Sequence, residues 1–160
     1  MILFYIIGTI QYMATYIDNR KAHFNYQIEE TFEAGIELDG FEVKSIKKGQ
    51  GNLAGAFCIV RGGEVFIAGM HIPPYQPHNT DPGYDPDRIR RLLLNKKEIK
   101  KLADADSTKG LTLIPISLYS KGRRIKVSVA IAKGKKTFDK RETIKKRDVD
   151  REIRREYKIR

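Results

Sequence analysis

The sequence predicts a mainly β fold: a small closed barrel with short flanking helices and a basic C-terminal tail. A hydrophobic content of 41% over 160 residues is enough for one domain with a buried core. Short apolar runs separated by turn residues recur, and over residues 125–132 β-branched side chains alternate with smaller or basic ones. About five or six such strands with few helices favour closure of the sheet, because a closed barrel has no exposed edge.

The first predicted elements are a strand and a short helix. Residues 26–38 mix β-branched, aromatic and acidic side chains, which indicates a strand that bends near Gly35. Residues 40–48 have helical spacing, and Gly49 is suited to end that helix.

The central part of the chain predicts a hairpin and then a loop. Residues 56–60 and 64–68 are strand-like, with Arg-Gly-Gly between them as the turn. Residues 73–86 contain five of the six prolines, which excludes regular structure there.

Residues 87–105 have helical character. Asp85 or Asp87 could cap such a helix. Its apolar face would consist of Ile89, Leu92, Leu93, Ile99 and Leu102.

The clearest hairpin comes next, with strands 111–119 and 123–132 and a turn at 121–122. Its buried face would carry Ile125, Val127, Val129 and Ile131. Its other face would be open and mildly basic, with Lys126, Ser128, Ala130 and Ala132.

Most of the positive charge lies at the C-terminal end. Residues 133–160 have 13 Lys and Arg against 6 Asp and Glu, while the whole chain has a net charge of +11. This asymmetry indicates a nucleic-acid partner, and an oligonucleotide-binding-type barrel is the fold that suits it. Lys133, Lys135 and Lys136 flank Gly134 and would contact phosphates.

The tail beyond Gly134 has a thin apolar stripe at helical spacing, formed by Ile144, Val149, Ile153 and Tyr157. An isolated helix with so little to bury is marginal in water, so we expect the tail to be largely disordered when free and helical against a polyanion. The alternative is a helix packed permanently on the barrel. The predicted domains are a barrel over 13–132 and a tail over 133–160.

The first twelve residues, MILFYIIGTIQY, are nearly all apolar. They are too few to cross a bilayer, which takes about 20 residues, and they lack both a positive segment before them and an amphipathic pattern. We expect translation to begin at Met13, with residues 1–12 as an upstream extension.

The composition favours neither a metal site nor an enzyme. The single cysteine, Cys58, lies in a strand-like run and is expected to be a buried thiol in a reducing, cytoplasmic setting. Three histidines without a paired carboxylate form no acid–base pair or metal-ligand spacing, and no phosphate-binding P-loop is visible. We therefore expect no cofactor, no catalysis, no membrane partner and a monomer.

Eleven short segments, in order, resemble the SsrA-binding protein family, whose members accompany transfer-messenger RNA. They are residues 19–22, 28–30, 33–35, 42–45, 52–53, 70–72, 74–75, 91–95, 109–112, 132–136 and 139–141. The resemblance extends from about residue 19 to 144; residues 1–12 lie outside it, and beyond residue 146 only the basic, helical character matches.

The resemblance implies a function as well as a barrel with an unstructured tail. The protein would bind the tRNA-like domain of transfer-messenger RNA and deliver it to ribosomes stalled without a stop codon. Its tail would enter the vacant messenger channel.

The resemblance places Glu33, Leu93 and Asn95 on the surface that binds transfer-messenger RNA. A carboxylate there would accept hydrogen bonds from a base edge, and an amide can both donate and accept. From the residues alone, Glu33 would form a salt bridge within the sheet and Asn95 a local cap or turn. Leu93 is expected to pack rather than to contact RNA directly.

Further residues complete the predicted RNA-binding set. Asn19, Arg20 and Lys21 would clamp the RNA backbone, and Lys44 belongs to the same set. The family commonly has Arg-His where this chain has His-Phe, so Phe24 would stack on a base in place of a histidine.

The start of the tail is expected to engage the ribosome. Asp139, Lys140 and Arg141 match the family there, and Ile144 and Lys145 follow. Asp139 suggests a positioned helix start, because a carboxylate stabilises the first turn.

Two other functions remain open from the residues. A generic single-strand-binding barrel would bind unstructured oligonucleotides through stacked aromatic rings. A nuclease or RNA-modifying enzyme would degrade or alter RNA in the presence of magnesium.

Overall fold

Residues 14–158 are described by a computed structural model of the chain, and within them seven strands and four α-helices follow one another. The strands are β1 (Thr15–Asp18), β2 (Tyr26–Ile36), β3 (Phe57–Arg61), β4 (Glu64–Ala68), β5 (Arg90–Leu93), β6 (Leu111–Lys121) and β7 (Arg124–Gly134). The helices are α1 (Arg20–Asn25), α2 (Gly40–Lys47), α3 (Lys96–Asp106) and α4 (Thr137–Lys158). The mainly β prediction is therefore confirmed.

Six of the strands form a closed ring of antiparallel pairs. Starting from β6, the neighbours are β3, β4, β5, β2 and β7, and β7 pairs again with β6. β1 lies outside this ring and pairs with the end of β6 that β3 does not reach. Sequence reasoning missed β1, which is only four residues long.

The ring encloses the main hydrophobic core. Its largest buried side chains come from β-strands, from α2 and α3 and from the loops between them. They include Ile46, Leu53, Ile67, Met70, Ile72, Leu102, Leu113 and Leu118, all with essentially no exposed surface. Each such side chain stabilises the fold by about 1.5–3 kcal/mol relative to an exposed position.

A second, smaller apolar cluster lies on the outer side of β6 and β7. It contains Ala22 of α1 together with Ile114, Ile116, Ala130 and Ala132. The expectation that the outer face of β7 is open therefore holds at Lys126 and Ser128, which are half-exposed, and is wrong at Ala130 and Ala132. Those two residues are fully buried because α1 packs across them.

The predicted helix over 87–105 is wrong in its first part. Residues 90–93 form β5, whose Arg90 and Leu92 alternate inward between β4 and β2. Two apolar residues assigned to the helical face, Ile89 and Leu93, are instead 57% and 50% exposed. Residues 90–93 adopt a strand conformation because they pair with strands that are distant in the sequence. The spacing of nearby apolar residues carries no information about that pairing.

The helix that does form there, α3, begins after Asn95. The Asn95 side-chain oxygen accepts a hydrogen bond from the Glu98 N–H at 2.9 Å, and the Glu98 carboxylate accepts one from the Asn95 N–H at 3.1 Å. This reciprocal arrangement is a capping box, and it satisfies two donors at the start of the helix. The predicted caps, Asp85 and Asp87, lie in the preceding loop, where the Asp87 N–H donates to Asp85.

The other local predictions are confirmed. β2, both hairpins and α2 lie where the sequence places them, within a few residues at their ends. Gly49 follows α2 with a φ of 72°, a backbone conformation that favours glycine. The proline-rich segment 73–86 is a loop apart from one short 3₁₀ turn, Pro77–Asn79.

A fully buried ion pair joins α2 to β5. Glu42 and Arg90 are both without exposed surface, and the Arg90 guanidinium donates to Glu42 at 2.7 Å. The same carboxylate accepts hydrogen bonds from Arg88 and from the Tyr84 hydroxyl. Burial alone raises the pKa of Glu42, but hydrogen bonds from Arg88, the Asp39 N–H and Arg90 hold that pKa below its ordinary value.

The tail forms one continuous helix, α4, which differs from the expectation of a largely disordered segment. Acidic residues stand four positions before basic ones, as in Glu142–Lys146 and Asp150–Arg154, and this spacing stabilises a helix. α4 contacts the rest of the protein at α1. It is not packed along the barrel, because its described side chains beyond Thr143 are exposed.

Two properties of the described residues bear on function. No helix within residues 14–158 is long and apolar enough to cross a membrane. Over the same residues, no three His, Cys, Asp or Glu side chains are grouped as a metal ion would require. The predicted upstream extension, residues 1–12, and Met13 lie outside the described part of the chain.

Candidate nucleic-acid interface

Most of the predicted RNA-binding residues lie at two surfaces at opposite ends of the β2–β7 pair. At one end Tyr26 is paired with Gly134, and at the other end Gly35 is paired with Lys126. Nine residues of strand separate Tyr26 from Gly35, which corresponds to about 30 Å. We call the first end the strand-end surface and the second the groove surface.

The strand-end surface consists of α1, the end of β7 and the residues leading to α4. Its exposed or half-exposed predicted residues are Arg20, Lys21, Phe24, Lys133, Lys135 and Lys136. The Lys135 N–H donates to the Asn25 carbonyl at 2.8 Å, and its ammonium donates to the His23 carbonyl at 3.2 Å. These bonds fix the basic segment beside α1.

Asn19 has a different position from the one predicted. Its side chain is 5% exposed, and its amide nitrogen donates to the carbonyls of Leu53 at 3.1 Å and Pro115 at 2.9 Å. Its oxygen accepts a hydrogen bond from the Ala22 N–H and caps α1. The prediction that Asn19 clamps RNA is therefore corrected: this residue holds α1 on the barrel, and α1 presents Arg20 and Lys21.

The ring of Phe24 has a partner within the chain. The guanidinium carbon of Arg147 lies 5.7 Å from its centroid, a cation–π distance. This contact connects α1 to α4 nearly three turns from the start of the tail helix.

The predicted ribosome-engaging residues form the first turns of α4. The Asp139 carboxylate accepts a hydrogen bond from the Lys136 N–H at 3.2 Å, so it satisfies a donor at the start of the helix as the sequence predicts. Lys140, Arg141 and Lys145 add positive charge, and Ile144 is 45% exposed. This apolar residue has no core to pack against within residues 14–158.

Sequence reasoning missed an aromatic residue at the strand-end surface. Phe57 is 46% exposed and borders a groove of about 550 Å³ that Lys21, Asn25 and Tyr26 also line. An exposed ring beside an ammonium group suits an unpaired RNA base. The sequence feature that could have identified Phe57 is its aromatic side chain at an outward-facing position of β3.

On the groove surface, Glu33 forms the salt bridge that the residues alone predict. Its carboxylate accepts hydrogen bonds from the Lys121 ammonium at 2.8 Å and the Tyr119 hydroxyl at 2.7 Å. These two hydrogen bonds hold the pKa of Glu33 below its ordinary value, and the bond from Lys121 has the larger effect. The pKa of Tyr119 is raised, by burial and then by its bond to Glu33. The Glu33 side chain is nevertheless 35% exposed and can accept a further donor.

Leu93 is paired with Gly35, two residues along β2 from Glu33, and Asn95 follows at the start of α3. Leu93 is half exposed, which corrects the expectation that it packs in the core. It borders a groove of about 430 Å³ between the end of β2, α2 and the start of β7, to which Arg123, Arg124 and Lys126 contribute positive charge. Asn95 caps α3, and its amide nitrogen has no hydrogen-bond partner among residues 14–158.

Lys44 belongs to neither surface. It lies on α2, and its ammonium is 5.8 Å from the centroid of the Tyr75 ring. The predicted set is thus divided among three places: the strand-end surface, the groove surface and α2.

The chain is similar in sequence and structure to members of one known protein family. The family model for the SmpB protein matches residues 16–159. An SsrA-binding protein of Clostridium acetobutylicum is 54% identical over 144 residues, which cover 90% of this chain and 92% of that protein. One from Burkholderia vietnamiensis is 49% identical over 136 residues, covering 85% and 92%. A solved structure described as "tmRNA-SmpB: a journey to the center of the bacterial ribosome" has 40% identity and a TM-score of 0.64, over 75% of this chain and 84% of that one.

Proposed function

The chain belongs to the SmpB protein family, and we propose that it binds transfer-messenger RNA (tmRNA) and delivers it to stalled ribosomes in trans-translation. The observation that carries this proposal is the family match over residues 16–159, which includes both basic surfaces and the tail helix. A protein that connects two RNA partners needs two separate binding surfaces, and the two ends of β2–β7 supply them.

We assign the groove surface to the tRNA-like domain of tmRNA. Arg123, Arg124 and Lys126 would neutralise phosphates, while Glu33 and Asn95 would read exposed base edges or ribose hydroxyls. Leu93 offers apolar area that an unstacked base can cover.

We assign the strand-end surface and α4 to the ribosome. α4 begins directly at the lysine cluster, and 22 residues of helix correspond to about 33 Å, long enough to enter a channel as a rod. The tail would occupy the messenger channel of a ribosome that has no codon there. The division we propose follows the one expected from the sequence, a barrel over 13–132 and a tail over 133–160, although the last barrel strand continues to Gly134.

The protein would act by binding alone. It would work as a monomer in the cytoplasm, with no cofactor and no catalytic step, since the tmRNA carries the tag-coding frame. The buried Cys58 thiol supports this, because burial raises its pKa and keeps it from acting as a nucleophile.

The first experiment is a competition between three RNAs at near-physiological salt: the tRNA-like domain of tmRNA, bulk tRNA and a single-stranded oligonucleotide. The full chain is compared with a chain ending at Lys136, a boundary chosen because β7 ends at Gly134. We expect a strong preference for the tRNA-like domain that survives removal of α4. Equal binding to all three RNAs, abolished by the truncation, would instead indicate a generic polyanion binder.

A further inference from the structure

Two lysine ammonium groups lie over one aromatic ring at the edge of α2. The Lys48 ammonium is 4.8 Å and the Lys44 ammonium 5.8 Å from the centroid of Tyr75. Both lysines are exposed, and Tyr75 is half-buried.

This cluster is held in place by the fold. Lys44 and Lys48 are four residues apart, so they lie on the same side of α2. Tyr75 follows two prolines, and the Ser45 hydroxyl donates a hydrogen bond to the Pro73 carbonyl at 2.7 Å from a fully buried position. The loop that carries the ring is therefore fixed against the helix that carries the lysines.

The two positive charges have no acidic partner. Among residues 14–158, neither Lys44 nor Lys48 forms an ion pair. The acidic side chains at the start of α2, Asp39 just before it and Glu42 within it, are bound to Arg88 and Arg90 instead. Lys44 is in the last turn of α2 and Lys48 directly follows it, so the C-terminal end of the helix and the ring face each offset part of the repulsion between the two ammonium groups. An anion placed between the two ammonium groups would offset the rest.

We propose that Lys44, Lys48 and Tyr75 form a phosphate-binding site for the backbone of a folded RNA. The two ammonium groups would donate to the oxygens of one phosphodiester or of two adjacent ones, and the Tyr75 ring would keep both side chains extended toward them. The choice of RNA rests on the proposed function.

The position of the cluster supports the same partner. Val43, the residue before Lys44, lines the groove surface. An RNA lying in the groove would thus pass directly beside α2, where the cluster would bind its backbone. Contacts of this kind fix the orientation of an RNA without reading its sequence.

The test is the salt dependence of binding to the tRNA-like domain of tmRNA. The double variant Lys44→Gln/Lys48→Gln is compared with Lys100→Gln/Lys97→Gln, which removes two exposed lysines from α3. Each lysine that contacts a phosphate contributes about one unit to the slope of log K against log salt. We expect the α2 variant to lower the slope by about one to two units and the α3 variant to leave it nearly unchanged.

A second variant distinguishes the contribution of the Tyr75 ring to RNA binding from that of the two lysine charges. Tyr75→Leu keeps both lysines and removes the ring face, and we expect affinity to fall several-fold while thermal unfolding shows a folded protein. Equal slopes for the α2 variant, the α3 variant and the parent chain would overturn the proposal. Failure of the parent chain to prefer the tRNA-like domain would count against the proposed function instead, since the slope comparison can be made with any folded RNA.

Discussion

Glu33 carries a carboxylate two residues along β2 from the positively charged groove that Gly35 lines. Its carboxylate is held ionised by Lys121 and Tyr119, yet a third of the side chain stays exposed beside a positively charged groove. An ionised carboxylate repels phosphates, so the role proposed for Glu33 is to accept hydrogen bonds from base edges. Lys121 partly neutralises it and orients its oxygens.

The first prediction concerns the proposed hydrogen bonds between Glu33 and base edges. Glu33→Gln keeps the side-chain shape but removes the charge, and we expect it to reduce discrimination between the tRNA-like domain and bulk tRNA. The control is Glu30→Gln on the same strand, whose carboxylate pairs with Lys101 at 3.0 Å outside the groove. Competition binding measures both variants. If Glu33→Gln keeps the discrimination of the parent chain, Glu33 acts only as a sheet salt bridge.

The second prediction concerns the buried pair of Glu42 and Arg90. Because the pKa of Glu42 is lowered on folding, its contribution to stability is present above its ordinary pKa of 4.5 and is lost as pH falls through the folded-state value. Glu42→Gln leaves the Arg90 charge buried without its partner, which should cost about 3–5 kcal/mol at neutral pH. Glu42→Gln should also remove the loss of stability that protonation of Glu42 causes at low pH.

Urea unfolding at a series of pH values measures both effects. The control is Glu37→Gln, which breaks an exposed ion pair with Arg91 and should cost no more than about 1 kcal/mol. Equal losses for the two variants would show that the buried pair contributes no more than a surface one.

At the scale of elements, the sequence predicted what local spacing determines. Both hairpins and α2 with its terminal Gly49 depend on turn residues and periodicity within a few positions. β5 could not be found in this way, since its pairing with β4 and β2 overrides a helix-like pattern. The same limit applies to the predicted site: the Asn19 amide donates to the Pro115 carbonyl 96 positions later, and nothing local to Asn19 predicts that bond.

The contact between α1 and α4 gives the third prediction. A cation–π contact at an exposed site is worth about 0.5–1 kcal/mol. Phe24→Leu should therefore make amide hydrogen exchange in the first half of α4 about two- to fivefold faster, while the barrel strands exchange as before. Arg155→Gln, an exposed position of the same helix away from the ring, serves as the control. Unchanged exchange in Phe24→Leu would mean that α4 is stabilised by its own charge spacing alone.

At the scale of the whole molecule, one strand pair determines how far apart the two proposed RNA-binding surfaces lie. β2 and β7 share a register from Tyr26–Gly134 to Gly35–Lys126, interrupted by one irregularity between Ile28 and Glu30. The strand-end surface and the groove surface are fixed to the ends of this rigid pair. An RNA held at one end therefore has a defined orientation relative to whatever binds the other.

The pairing of the first strand with the sixth also sets when during synthesis the protein can fold. The Ala14 N–H donates to the Ser120 side chain 106 positions later, and β2 has no β7 beside it until the chain has been made as far as Gly134. Because a nascent chain emerges N-terminal end first, β1 has no partner strand through most of translation, and β2 can pair only with the short β5 until β7 is made. A polypeptide released before β7 is complete would have no closed barrel, and so no rigid pair of strands on which to hold RNA.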